Sequence, residues 1–252
     1  MPSAILRLWT WLTDGPDYPP DDADRRTVRL LGIELPARAT VALVAVALLL
    51  LLDYHGEIHG LVQDVTGIRG ATAPEGMRVQ GIGRVVLLGL VPLVLVVTVL
   101  RDRPSRYGLV LGDWRAGLSI AAAGCAVMLP VVVIAVRTPG FATYYAPQAV
   151  SVPDVILTTA LDVIPAEFFF RGFLLYALLR SIGPIAVVVA TLPFAFAHLG
   201  KPELETMSTI GGGFLYGWLD WRTRSVLWSG LAHTAILSFT VLASAAVAPG
   251  AA

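Results

Sequence analysis

The chain has 252 residues, 56% of them hydrophobic and 14% charged, with a mean hydropathy of +0.74. Soluble domains carry about a quarter charged residues, so this composition excludes an ordinary soluble globular protein. A formal net charge of zero gives no electrostatic reason to expect nucleic acid, and a single cysteine, Cys125, excludes an internal disulfide.

Residues 1–36 are charged and Pro-rich, and they lack the short basic head and apolar core of a cleaved signal peptide. Within them Leu6, Trp9, Trp11 and Leu12 suit a short amphipathic helix at a membrane surface, with a disordered tail as the competing expectation. A bilayer core needs about 20 apolar residues in helix. Runs of that kind fall at 37–54, 82–100, 115–136, 151–180, 184–199, 204–221 and 225–247. The predicted fold is therefore all-α, a polytopic transmembrane helix bundle of about seven spans, with residues 37–252 forming one domain. The fourth run is long enough to tilt, and Pro165 removes one helical hydrogen bond inside it. The polar loop 55–81 is expected to fold over the bundle.

Basic residues divide twelve to five between the two sets of loops, with Arg171 the eighteenth, inside a span. The positive-inside rule then places the N-terminus in the cytoplasm of a multi-pass integral protein, expected in a bacterial plasma membrane. The lipid bilayer is its first partner.

Ionisable side chains inside a membrane are costly and mark functional positions by default. Glu167 and Arg171 stand four apart on one helical face. His198 ends "TLPFAFAH", His233 lies in "WSGLAHTAILSF", and Glu205 opens the sixth run. At 1.5 Å per residue, the distances from the nearest cytoplasmic end are roughly 20 Å for Glu167, 21 Å for His198, 24 Å for Glu205 and 12 Å for His233. A carboxylate and two imidazoles near one layer can activate water and stabilise an oxyanion. The same set, Glu167 with His198 and His233, also matches a catalytic zinc site, so a divalent metal stays open. Each position also has a plainer reading. Glu167 with Arg171 would serve as a structural ion pair, and either histidine as a satisfied core residue. Glu205 would serve as a helix-start carboxylate.

"AEFFFRG" at 166–172, "FAFAH" at 194–198 and "HTAIL" at 233–237 follow one another in a set order. In that order and spacing they resemble the CPBP family, the CAAX-processing and bacteriocin-processing intramembrane proteases also called Abi proteins. The resemblance covers roughly residues 150–245, the protease-like core. It implies an endopeptidase that hydrolyses a membrane-anchored or lipidated peptide, by a glutamic-type or a metallo mechanism. By the resemblance the general base is the family's first Glu, and Glu167, which matches the second, is expected to take over that role, with Glu205 in reserve. Arg171 orients the acid, His198 positions water and His233 stabilises the oxyanion. Two positions depart from the family pattern. Ala166 stands where the family has its first Glu, and Leu237 where it has Asn, leaving Thr234 and Ser238 as nearby hydroxyl donors. These departures support an alternative, a non-catalytic protein that binds membrane peptides. A third reading is a proton-coupled transporter, against which no inverted repeat is visible.

Overall fold

The chain was analysed as a computed structural model, which describes residues 4–22 and 24–248. Apolar sequence of sufficient length becomes helix because each helix satisfies its own backbone groups, as lipid requires. The helices are α1 (Ala4–Thr13), α2 (Ala37–His55), α3 (His59–Thr66), α4 (Ala73–Arg84), α5 (Val91–Thr98), α6 (Trp114–Ala135) and α7 (Pro139–Tyr145). They continue as α8 (Val152–Glu167), α9 (Tyr176–Ile182), α10 (Ala186–Phe196), α11 (Glu203–Thr223) and α12 (Leu227–Val247). Two π-helical segments, Val85–Leu90 and Phe168–Leu175, join α4 to α5 and α8 to α9. Start signals are conventional: Thr72, Asp113 and Ser151 cap α4, α6 and α8 through their side-chain oxygens.

Among the described residues, five helical stretches are long and apolar enough to cross a bilayer: Ala37–His55, Ala73–Thr98, Trp114–Ala135, Val152–Phe196 and Leu227–Val247. This differs from the seven expected runs for two reasons. The runs at 151–180 and 184–199 lie within one apolar stretch, which reverses at Gly183, so α10 packs back along α9 and the π segment. The run at 204–221 is a full helix, α11, but not among the five, since its glycines and its Glu203, Glu205, Asp220 and Arg222 keep it less apolar than the others. Exposed Val44, Leu48, Leu51, Ile134, Leu157 and Leu192 give the bundle an apolar girdle. The protein is an integral membrane protein built as an all-α polytopic bundle.

Loop 55–81 is more ordered than a polar loop implies: it forms α3 and most of α4, which packs on α8. Two glycines of α11, Gly213 and Gly217, allow close helix packing, while Gly211 and Gly212 face open space. A Cβ on Gly213 would lie 2.8 Å from Thr191 and 3.0 Å from Phe194, and one on Gly217 would lie 3.1 Å from Val187. The three phenylalanines 168–170 are buried in the core.

The N-terminal segment is not a tail. A hairpin of β1 (Thr27–Leu30) and β2 (Ile33–Pro36) pairs antiparallel, with Thr27 opposite Pro36. Ahead of it, Tyr18 donates to the Trp221 carbonyl at 3.0 Å, and Arg222 donates to the Trp11 carbonyl at 2.6 Å. Leu6, Trp9 and Trp11 are exposed on α1; the Leu12 side chain lies outside the described residues. Asp24 is the anchor. Its fully buried carboxylate meets Arg38 Nε at 2.6 Å and Arg106 Nη2 at 3.2 Å. Arg38 also binds Asp102, and Arg180 caps the cluster by donating to the Arg106 carbonyl at 2.9 Å. Removing one partner of such a buried network strands the others without a counter-charge. Asp24→Asn is expected to destabilise the protein by about 3 kcal/mol, read as an earlier thermal unfolding transition in detergent. Asp22→Asn, at a fully solvated side chain, is expected to leave that transition in place.

Candidate active site

Four elements bring the site together near the end of α2 remote from the Asp24 cluster. Arg38 and Asp53 are fifteen positions apart on α2, about 22 Å along its axis. Here α8, the Phe168–Leu175 π segment, α10 with its following turn, and α12 meet around Glu167.

Glu167 is 1% exposed. Its Oε1 accepts from His233 Nδ1 at 2.7 Å and from Arg171 Nη1 at 3.2 Å. The π segment starts at the very next residue, a local widening of the helix of the kind that often accompanies functional sites. Arg171 is 2% exposed and lays its guanidinium 3.8 Å from the centre of the Phe194 ring. Such a desolvated cation–π contact is worth about 2 kcal/mol. Phe194 also meets His198, ring centres 4.4 Å apart, and Tyr216 stacks on His233 at 5.1 Å. Phe194 therefore locks the arginine of one segment and the histidine of the next into one packed unit.

The tautomers follow from the partners. A backbone carbonyl only accepts, so the 2.8 Å contact from His198 Nδ1 to the Phe194 oxygen places the ring hydrogen on Nδ1. The carboxylate of Glu167 does the same for His233. Neither Nε2 has a protein partner among the described residues, and neither is sealed off. Both rings line a narrow cleft with Ala166, Leu237, Asp162, Asp53 and Arg84. Its void of about 30 Å³ is room for one or two waters.

The expected residues divide. Glu167, Arg171 and His233 are joined by hydrogen bonds, and His198 reaches them across Phe194 and the cleft. Glu167 stands behind the cleft, with His233 and Ala166 in its wall. Glu205 is engaged elsewhere, accepting from Tyr145 Oη at 2.6 Å and Lys201 Nζ at 3.0 Å. Burial, reinforced by the Glu205 carboxylate, pushes the Tyr145 phenol well above its ordinary range, so it stays a donor. Thr234 and Ser238 are buried, with hydroxyls that lack a partner among the described residues, and the cleft wall at that point is Leu237.

A zinc ion would need Glu167, His198 and His233 to converge. Among the described residues no three His, Cys, Asp or Glu side chains are grouped to hold a metal ion. The carboxylate oxygen nearest the imidazoles is already taken by Arg171 and His233. The donor set does not fit a metal in this arrangement.

Sequence reading passed over Asp53, Arg84, Asp162 and a further buried acid, Asp220, held by the Ser229 hydroxyl at 2.7 Å. The available signal was the same one used for Glu167: each is an ionisable residue in or at the edge of an apolar run.

Residues 148–239 match the family model described as type II CAAX prenyl endopeptidase Rce1-like. No curated protein and no solved structure matches the chain. That matched region holds Glu167, Arg171, His198 and His233 in the order of the CPBP pattern, and over it the chain is similar to the Rce1-like, CPBP-type intramembrane proteases.

Proposed function

We propose that this protein is an intramembrane endopeptidase that uses water to hydrolyse a peptide bond of a membrane-anchored or lipidated peptide. The observation that carries the reading is the pair of imidazoles, His198 and His233, lining one water-sized cleft, each with an Nε2 unpartnered among the described residues, and backed by the buried Glu167–Arg171 pair. His198, tied through Nδ1 to a backbone carbonyl, turns its Nε2 lone pair to the water and orients it. His233, as an imidazolium protonated from solvent on Nε2 as well as Nδ1, hydrogen-bonds through Nε2–H to the developing oxyanion. Glu167 supports the charge of that imidazolium from 2.7 Å behind, and Arg171 keeps the carboxylate in place. Glu205 stays outside this set because Tyr145 and Lys201 hold it.

The polypeptide substrate reaches the cleft within the apolar girdle, so a lipid anchor would concentrate it there. In proteoliposomes, with a panel of internally quenched S-prenylated and N-acylated peptides, Glu167→Gln, His198→Ala and His233→Ala are each expected to slow cleavage at least about 100-fold. Unchanged cleavage in Glu167→Gln and His198→Ala would remove this reading. A strong divalent-metal chelator is expected to leave the rate unchanged, since the donor set does not assemble; a loss restored by zinc would return the metallo mechanism.

The alternative, a protein that binds membrane peptides without cutting them, rests on the Ala166 methyl in the cleft wall. Ala166→Glu separates the two. The expected outcome is an active parent that gains nothing from the added carboxylate. A silent parent that begins to cleave on this substitution would establish the non-catalytic reading.

A further inference from the structure

The water in the cleft needs a proton acceptor, and Glu167 is walled off behind His233 and Arg171. Two other carboxylates line the cleft. Asp53 is saturated: Arg84 donates to both its oxygens, Nε at 3.3 and 3.1 Å and Nη2 at 3.0 Å. Asp162 is only half engaged. Its Oδ1 accepts from Arg84 Nη1 at 2.6 Å. Its Oδ2 takes no hydrogen bond from the described residues, yet it is not among the sealed-off polar atoms. Asp162 and Ala166 stand four apart on α8 and line the same cleft.

Charge points the same way. Arg84 is one cation between two acids, so the trio carries one uncompensated negative charge in an apolar bundle. The nearest other cation on the cleft, Lys201, is committed to Glu205. Both acids are needed for Arg84 to join α2, α4 and α8, but the clasp leaves the second negative charge uncompensated in an apolar bundle, a cost that a use for it would justify.

We propose that Asp162 is the general base of the reaction. This rests on the protease reading and adds the residue that reading lacks. Oδ2 accepts a proton from the water as the water oxygen bonds to the scissile carbonyl carbon and the carbonyl π pair moves to oxygen. When the intermediate collapses, the C–N bond breaks and the amine nitrogen receives that proton from Asp162. The products are a fragment ending in a carboxylic acid and one ending in an amine, with Asp162 ionised again. Arg84 fixes the other oxygen throughout, so the carboxylate needs no reorientation between the two transfers.

Asp162→Asn keeps the shape and an acceptor for Arg84 but cannot take a proton. In the proteoliposome assay its kcat is expected to fall roughly 10²- to 10⁴-fold, with photo-crosslinking of a non-hydrolysable ketomethylene peptide and the unfolding temperature unchanged. Asp162→Ala is expected to regain cleavage in added formate, a rescue that a structural role would not show. Wild-type kcat in Asp162→Asn beside an inactive His198→Ala overturns the base assignment and leaves the protease reading standing. A loss in Asp162→Ala that formate does not restore overturns it too. A wild-type protein that leaves every peptide of the panel intact overturns both.

Discussion

The structure turns on one buried carboxylate. A charge as enclosed as Glu167 survives in an apolar bundle only if other groups take over the role of water. Here Arg171, one turn along, and His233, from a different helix, share its Oε1. The rest of the core is arranged to make that possible. Arg171 is itself desolvated and rests on Phe194, which fixes α10, and Phe194 can sit there because Gly213 of α11 has no side chain to displace it. Four segments are thus positioned by one ionic demand, and the cleft is what remains between them.

That demand explains why the candidate site is legible in the chain. Glu167, Arg171, His198 and His233 interrupt runs that otherwise read as lipid-soluble, and their spacing matches a family pattern. What a sequence ruler measures is depth along a helix, not the direction a side chain faces. Glu205 shares the layer of Glu167 yet points to Tyr145 and Lys201. Asp162 lies in the same run as Glu167 and went unremarked, because its meaning depends on Arg84 and Asp53, each supplied by a separate helix. The π segment after Glu167 was likewise invisible, since a helix widened by tertiary packing leaves no local signature. The order in the N-terminal segment escaped notice for a similar reason: Asp24 reads as one more charge in a polar stretch until Arg38, Arg106 and Arg180 surround it.

The two ends of the bundle divide their electrostatic labour. At the end where α2 begins, arginines and aspartates cancel one another and bind the N-terminal segment to α2, α9 and the segment before α6. At the other end a guanidinium is outnumbered by acids, and the excess faces the cleft. Since α2 contributes Arg38 to the first cluster and Asp53 to the second, it is the strut that holds both in register.

One residue governs the direction of the whole traverse. Gly183, with φ +67° and ψ −158°, occupies backbone space closed to any residue with a Cβ. At that point a continuous 45-residue oily stretch doubles back on itself. Without the reversal, everything downstream would be delivered to the opposite leaflet. The second imidazole would then never meet its acid, so the geometry of a single glycine underwrites the assembly of a centre formed by residues as distant as 167 and 233.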